Sequence, residues 1–355
     1  MSRQVNHLDV VKGLSIMSLA LFHSRFAGYF PEFTSSMRLF RVPLFFFVSG
    51  AFFSGFGAPF EDLKRRGQLL LKPYMVVITA AILMQSAEAH RVPFWLAAMA
   101  WGNPAGVHIM LTPTWFLPHL FLVTALAIVL MNMGYLKLGG TWRWVAMACL
   151  YFGGYLILAQ YGSRGVRMKE LLNSLQGWPV GLDFAPVSLA IFLAGYQMRS
   201  KVFQFRPNWA WCFVALLAYG CVLYGTTAHM DLNRRILRDP AFMVVGIGCG
   251  VYMTMCVAHW VLQWRVIANP IGTVGQCTLY VLLFHVPIQW GIDSIFRVSG
   301  VSSDLGLWSA MAAYAMSIFI STWLGIWVQR NKVPRMLFAP PVGENPTLAS
   351  KQKVA

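Results

Sequence analysis

Residues 9–23 read DVVKGLSIMSLALFH, the opening of the first hydrophobic segment, and carry Asp9, Lys12 and His23. None of the ten residues between Lys12 and His23 is charged. Eleven steps of about 100° return a helix to nearly the same face, so Lys12 and His23 are expected to line one stripe, about 16 Å apart along the axis. Asp9, three residues before Lys12, can share that stripe. Ionisable groups at such depth are costly in lipid and more often face a bundle interior or a wet cavity. The plainer alternative is that Lys12 snorkels to one interface and His23 anchors the other, and these residues alone leave it open.

The same pattern continues through the chain. Of 355 residues, 57% are hydrophobic and 11% charged, whereas soluble domains carry about 25% charge. The apolar material falls into blocks of about 17 to 22 residues, the signature of an all-α, polytopic transmembrane bundle. Barrel strands would alternate, and these blocks do not. The expected spans are 9–28, 38–56, 69–87, 113–132, 142–160, 181–198, 209–228, 240–262, 272–292 and 306–328, about ten helices. Residues 1–330 form one integral domain, and 331–355, with its Pro and Lys residues, is expected to be a disordered cytoplasmic tail. Residues 87–112 are too interrupted for a crossing and suit a short interfacial or re-entrant helix.

The net charge of +16 is spread over connecting segments, where it faces anionic lipid, and no nucleic-acid partner is expected. Six cysteines lack metal-ligand spacing and read as small buried hydrophobes, so neither disulfides nor a metal are expected. No cleavable signal peptide is expected. With the N-terminus inside, the inner segments hold 17 of the 28 Lys and Arg residues, which favours both termini in the cytoplasm.

Given that orientation, His23, His119 and His285 fall at similar depth in the outer half. Asp183, Asp293 and Glu88 lie at helix ends on the same side, and Arg41 opens the second helix there. On the opposite side KRRGQLLLK (Lys64–Lys72), followed by Pro73, is expected to be a compact basic loop. It serves either as a positive-inside anchor or, through Lys64, Arg65, Arg66 and Lys72, as a patch for phosphate groups.

In order along the chain, HLDVVKGLSIMSLALFH, RVPLFFFVSGAFFSG, the basic stretch with Pro73-Tyr74, TWFLPHLFLV and LYVLLFHVPIQ together resemble the acyltransferase-3 family of integral membrane O-acyltransferases, over roughly residues 6–330. The fucose-acetylase-like and glucan-succinyltransferase-like branches are both similar. The resemblance implies a bacterial inner-membrane enzyme that moves an acyl group, most simply acetyl from cytoplasmic acetyl-CoA, to a hydroxyl of an extracytoplasmic carbohydrate or glycolipid. Acyl-CoA is then a donor substrate, and no permanently bound cofactor is expected. His23 is carried over as the essential residue, with Lys12 as the family's basic residue eleven positions before it. Arg65 and Arg66 resemble the family's basic loop. The chain departs from the pattern at Leu69 and Leu70, where relatives often have a further arginine.

Acyl transfer to an alcohol needs a base, for which neutral imidazole suits, and a group that orients it. Asp183 and Asp293 are the candidates for that second role, while Arg41, His119 and His285 are expected to meet the acceptor. A covalent acyl-histidine and direct transfer both remain open. A pantetheine arm of roughly 15–20 Å could reach from phosphates held at the cytoplasmic loop of Lys64–Lys72 to the neighbourhood of His23. The competing functions are succinyl transfer to periplasmic glucans and, in another class, proton-coupled transport.

Overall fold

The computed structural model describes residues 5–53, 59–161, 177–300 and 306–338. The helices are α1 (His7–Phe22), α2 (Phe26–Tyr29), α3 (Pro31–Ser36), α4 (Arg41–Ala51), α5 (Pro59–Met84), α6 (Val92–Trp101), α7 (Phe116–Asn132) and α8 (Gly140–Tyr161). There follow α9 (Ala185–Gln197), α10 (Arg199–Phe203), α11 (Trp209–Gly225), α12 (Pro240–Leu262), α13 (Arg265–Gln276), α14 (Thr278–Val298), α15 (Gly306–Arg330) and α16 (Lys332–Phe338). One two-stranded antiparallel hairpin, β1 (His229–Asp231) with β2 (Ile236–Arg238), pairs Met230 with Leu237.

Seven helical stretches among the described residues are long and apolar enough to cross a bilayer: Pro59–Met84, Ile109–Asn132, Gly140–Gln160, Pro179–Gln197, Pro240–Leu262, Thr278–Val298 and Gly306–Arg330. The chain is a multi-pass, all-α membrane protein. A helix of 20 residues spans about 30 Å. At 16, 11 and 17 residues, α1, α4 and α11 are shorter. In α4, eight of eleven residues are buried, so this helix is wrapped by others and need not match the lipid thickness.

Two helix crossings hold the interior together. Where α1 crosses α13, a side chain on Gly275 would collide with the Asp9 carbonyl, and one on Gly13 with the Ile271 carbonyl. Where α4 crosses α9, Gly50 meets the Phe192 carbonyl and Gly195 the Phe47 carbonyl. Small residues let membrane helices approach backbone to backbone, and van der Waals contact replaces the hydrophobic drive that lipid removes. The start of α1 is set by a capping box: Asn6 accepts from the Asp9 N–H at 2.9 Å, and Asp9 accepts from the Asn6 N–H at 3.3 Å.

Several boundaries differ from the expected spans, each for a local reason. The first helix stops at Phe22 rather than residue 28, with His23 as its C-cap and Pro31 opening α3 a short way on. The basic stretch 64–72 is no loop. It forms the early turns of the 26-residue α5, opened by Glu61 and Asp62 at the positive end of the helix dipole and containing Pro73. The span expected at 272–292 is two helices, α13 and α14, divided at Cys277, whose N–H is shared by the Thr273 and Val274 carbonyls. Residues 92–101 form α6, a ten-residue helix tied to α5 by the Tyr74 hydroxyl on the Met99 carbonyl at 2.9 Å. In the stretch expected to be a disordered tail, Lys332–Phe338 is helical and packs on α5 and α15. The remainder, 339–355, lies outside the described residues, as do 162–176 of the expected outer loop.

Candidate active site

The stripe predicted on α1 is present. Lys12, Ser15, Ile16, Leu19 and His23, at helical spacing, line two adjoining cavities enclosed by α1, α4, α5, α7 and α14. The first, of about 210 Å³, holds Lys12 and Arg66. The second, of about 290 Å³, holds His23 with Trp115, Phe116 and Leu282. Phe45, Ser49, Leu69, Leu70, Leu120 and Thr278 line both, so the two cavities share a wall and run in series from the basic residues to the histidine.

At the basic end, Lys12 lies 4.0 Å from Asp9 and its ammonium sits 4.0 Å over the Phe52 ring. Arg66 lies over Phe53 at 5.5 Å. Aromatic rings thus back both cations, and Asp9 offsets part of the Lys12 charge. Of the four basic residues of α5, Arg66 is the one among the cavity's lining residues. Arg66, Leu69 and Leu70 face the cavity because they are three and four residues apart. Lys64 points to the surface, 4.0 Å from Glu61 with both side chains exposed, and Arg65 and Lys72 are not among the cavity residues. Leu69 and Leu70, where relatives often carry arginine, form the apolar junction of the two cavities.

At the other end, the His23 ring lies 5.6 Å, centroid to centroid, from the fully buried His285. The His285 Nδ1–H donates to the Val281 carbonyl at 2.6 Å, one turn back on α14. That bond leaves Nε2 as a bare lone pair, and this atom is buried without a partner. Gln289 and Asp293 follow at four-residue intervals and extend a polar stripe along α14. The Gln289 amide donates to the Ala20 carbonyl at 3.2 Å and to Ser317 Oγ at 3.1 Å. Asp293 accepts from Arg25 at 3.1 Å, and Arg25 also reaches the Gly306 carbonyl and Ser309 on α15. The stripe therefore clamps the end of α1, where His23 sits, between α14 and α15.

The remaining predicted residues are distributed around this core. Both nitrogens of His119 are taken, by the Val180 carbonyl at 2.8 Å and Ser188 Oγ at 2.9 Å, and its ring stacks on Phe184 at 4.2 Å. It stands behind the cavity wall formed by Trp115 and Phe116 rather than in it. Asp183 is buried against Arg235 of the hairpin, with Nε 2.5 Å from its carboxylate. Asp183 and Asp293 are thus each held by an arginine, and among the described residues neither hydrogen-bonds His23. Arg41, 8% exposed, stacks on Phe22 at 3.7 Å, next in the chain to His23, and its Nε and one Nη are buried without a partner. Glu88 pairs at the surface with Arg91 at 2.8 Å.

Sequence reasoning missed Arg25 and Gln289. The signal was legible in part, since His285, Gln289 and Asp293 recur every four residues in an otherwise apolar helix. No three His, Cys, Asp or Glu among the described residues are placed to hold a metal ion. No curated protein and no solved structure matches the chain. A family model described as an acyltransferase domain matches residues 5–329, nearly the whole chain, including every residue of the two cavities. The chain is therefore a membrane acyltransferase and belongs to the acyltransferase-3 family.

Proposed function

We propose that the protein is an O-acyltransferase that takes an acetyl group from acetyl-CoA on the cytoplasmic side and delivers it to a hydroxyl of a cell-surface carbohydrate or glycolipid outside the inner membrane. The observation that carries this reading is the pair of adjoining cavities, cationic at Lys12 and Arg66 and ending at His23. Phosphates of the donor pair with the two cations. The pantetheine arm then lies along the apolar junction at Leu69 and Leu70 and brings the thioester to His23 without the nucleotide crossing the membrane.

His23 accepts the proton of the acceptor hydroxyl as that oxygen attacks the thioester carbonyl carbon. The carbon–sulfur bond breaks as the tetrahedral intermediate collapses, and the departing thiolate receives the proton from His23. The orienting role expected of Asp183 or Asp293 is assigned to His285. Its tautomer is set by Val281, so Nε2 can only accept, and it takes the ring N–H of His23 directly or through a water. The unpaired guanidinium of Arg41 serves the acceptor or the charge that develops beside His23, because a buried cation with open donors is favourable only once an anion arrives.

The test is mass spectrometry of envelope glycans and glycolipids from cells with and without the gene, joined to transfer from labelled acetyl-CoA by purified protein in proteoliposomes. Loss of a carbohydrate acetyl ester in the first, with label transfer in the second, supports the reading. Loss of a succinyl ester would move it to the succinyl branch. Substrate-dependent proton flux without acyl-CoA, and no transfer, would overturn it.

A further inference from the structure

One large groove has no part in the acyl-transfer path. It measures about 910 Å³, lies between α8 and α12, and shares no lining residue with the cavities of Lys12 and His23. The Tyr151 hydroxyl of α8 donates to the Pro240 carbonyl at the start of α12 at 3.2 Å. Ala190 and Ala194 of α9 keep the floor low, and Trp144, Phe152, Val244 and Val251 are among the walls. Residues 241–255 of α12 border it, about 21 Å of helix, which exceeds the roughly 15 Å depth of one bilayer leaflet.

The groove is apolar along its length and cationic at its mouth. Lys201 and Arg206 stand there, both exposed, together with Ser200 and Gln204. Neither cation has an acidic partner among the described residues. The sequence has no Asp or Glu from 184 to 230. The mouth opens at the end of the bundle that carries the α1 N-terminus, because His7 Nε2 reaches the Val202 carbonyl at 2.9 Å. An apolar slot long enough to take the chain of one leaflet, with two cations at its mouth that have no acidic partner among the described residues, fits one kind of occupant.

We propose that this groove is a site for an anionic phospholipid, its phosphate on Lys201 and Arg206 and an acyl chain lying between α8 and α12. A juxtamembrane cation contributes attraction to an anionic headgroup, so the two together select phosphatidylglycerol over a zwitterionic lipid with the same chains. The groove's volume is within the range of sites that enclose a whole small ligand, which distinguishes it from a flat lipid-facing surface.

The experiment uses the full chain, purified and stripped of lipid, then titrated with phosphatidylglycerol or phosphatidylcholine of identical chains and read by native mass spectrometry. Phosphatidylglycerol should be retained about tenfold more tightly, and Lys201→Ala with Arg206→Ala should bring it down to the phosphatidylcholine level. Ala194→Phe, which raises the floor, should remove the bound lipid. If that variant does not fold, brominated phosphatidylglycerol should quench wild-type fluorescence more than it quenches Trp144→Phe, since Trp144 borders the groove. Equal retention of the two lipids, an unaffected double variant, or identical quenching of wild type and Trp144→Phe would each overturn the proposal.

Discussion

The imidazole of His23, at the end of α1, lies 5.6 Å from that of His285 in the middle of α14, and the His285 atom free to accept is the one that Val281 leaves without a proton. His23→Gln is expected to remove turnover by about 10²–10⁴-fold while the protein still inserts and binds acyl-CoA. Glutamine keeps length and polarity but cannot take the proton. Full transfer by well-expressed His23→Gln protein would refute the mechanism and leave only the family assignment. His285→Phe should lower kcat with little change in the donor KM, measured by steady-state transfer from labelled acetyl-CoA.

Among the basic residues of α5, Arg66 is the one that lines the cavity holding Lys12. Arg66→Ala should raise the KM for acyl-CoA about tenfold, on the scale of one lost charge-assisted bond, while Lys64→Ala should behave as wild type. Lys12→Arg should retain most activity and Lys12→Ala should not. A rise in the acceptor KM alone on replacing Arg66 would show that the cavity does not receive the donor.

Arg25 joins Asp293 to α15 and fixes the end of α1, with the arginine 22% and the aspartate 9% exposed. Breaking one side strands the other, so Arg25→Ala should cost about 2 kcal/mol, read as a lowered midpoint of thermal unfolding in detergent. Arg25→Ala with Asp293→Ala should be less destabilised than either single variant. Additive losses in that double-mutant cycle would mean that Arg25 and Asp293 are not coupled and would refute the clamp.

The α1–α13 crossing leaves no room for a side chain at Gly13 or Gly275. Gly275→Leu should therefore separate the helices and reduce folded yield and activity together. Gly220→Leu is the control: a Cβ there meets nothing within 4 Å, and both measures should stay near wild type.

Orientation is checked by cysteine labelling in a background lacking the native cysteines. A cysteine at Asn233, in the hairpin, should react from outside intact cells, and one at Lys64 only after permeabilisation. The reverse pattern would place the basic cavity on the outer side and rule out a cytoplasmic donor.

How far the chain could be read from its sequence follows from what each feature depends on. Continuous apolar blocks and scattered charge were enough for an all-α membrane bundle, because a bilayer admits few other backbones. The stripe from Lys12 to His23 was also legible, since periodicity along one helix is a local property. The early end of α1, the split at Cys277 and the helical state of residues 64–72 were not, because propensity places boundaries poorly and packing decides them. Only the tertiary structure decided which groups meet: His285 rather than Asp183 or Asp293 beside His23, Arg66 rather than Lys64 in the cavity, His119 spent on Ser188 and a backbone carbonyl. Those choices depend on the rotation of each helix about its axis and on glycine crossings between elements far apart in the chain. No local pattern encodes them, because the energies that set them arise only when the helices pack together.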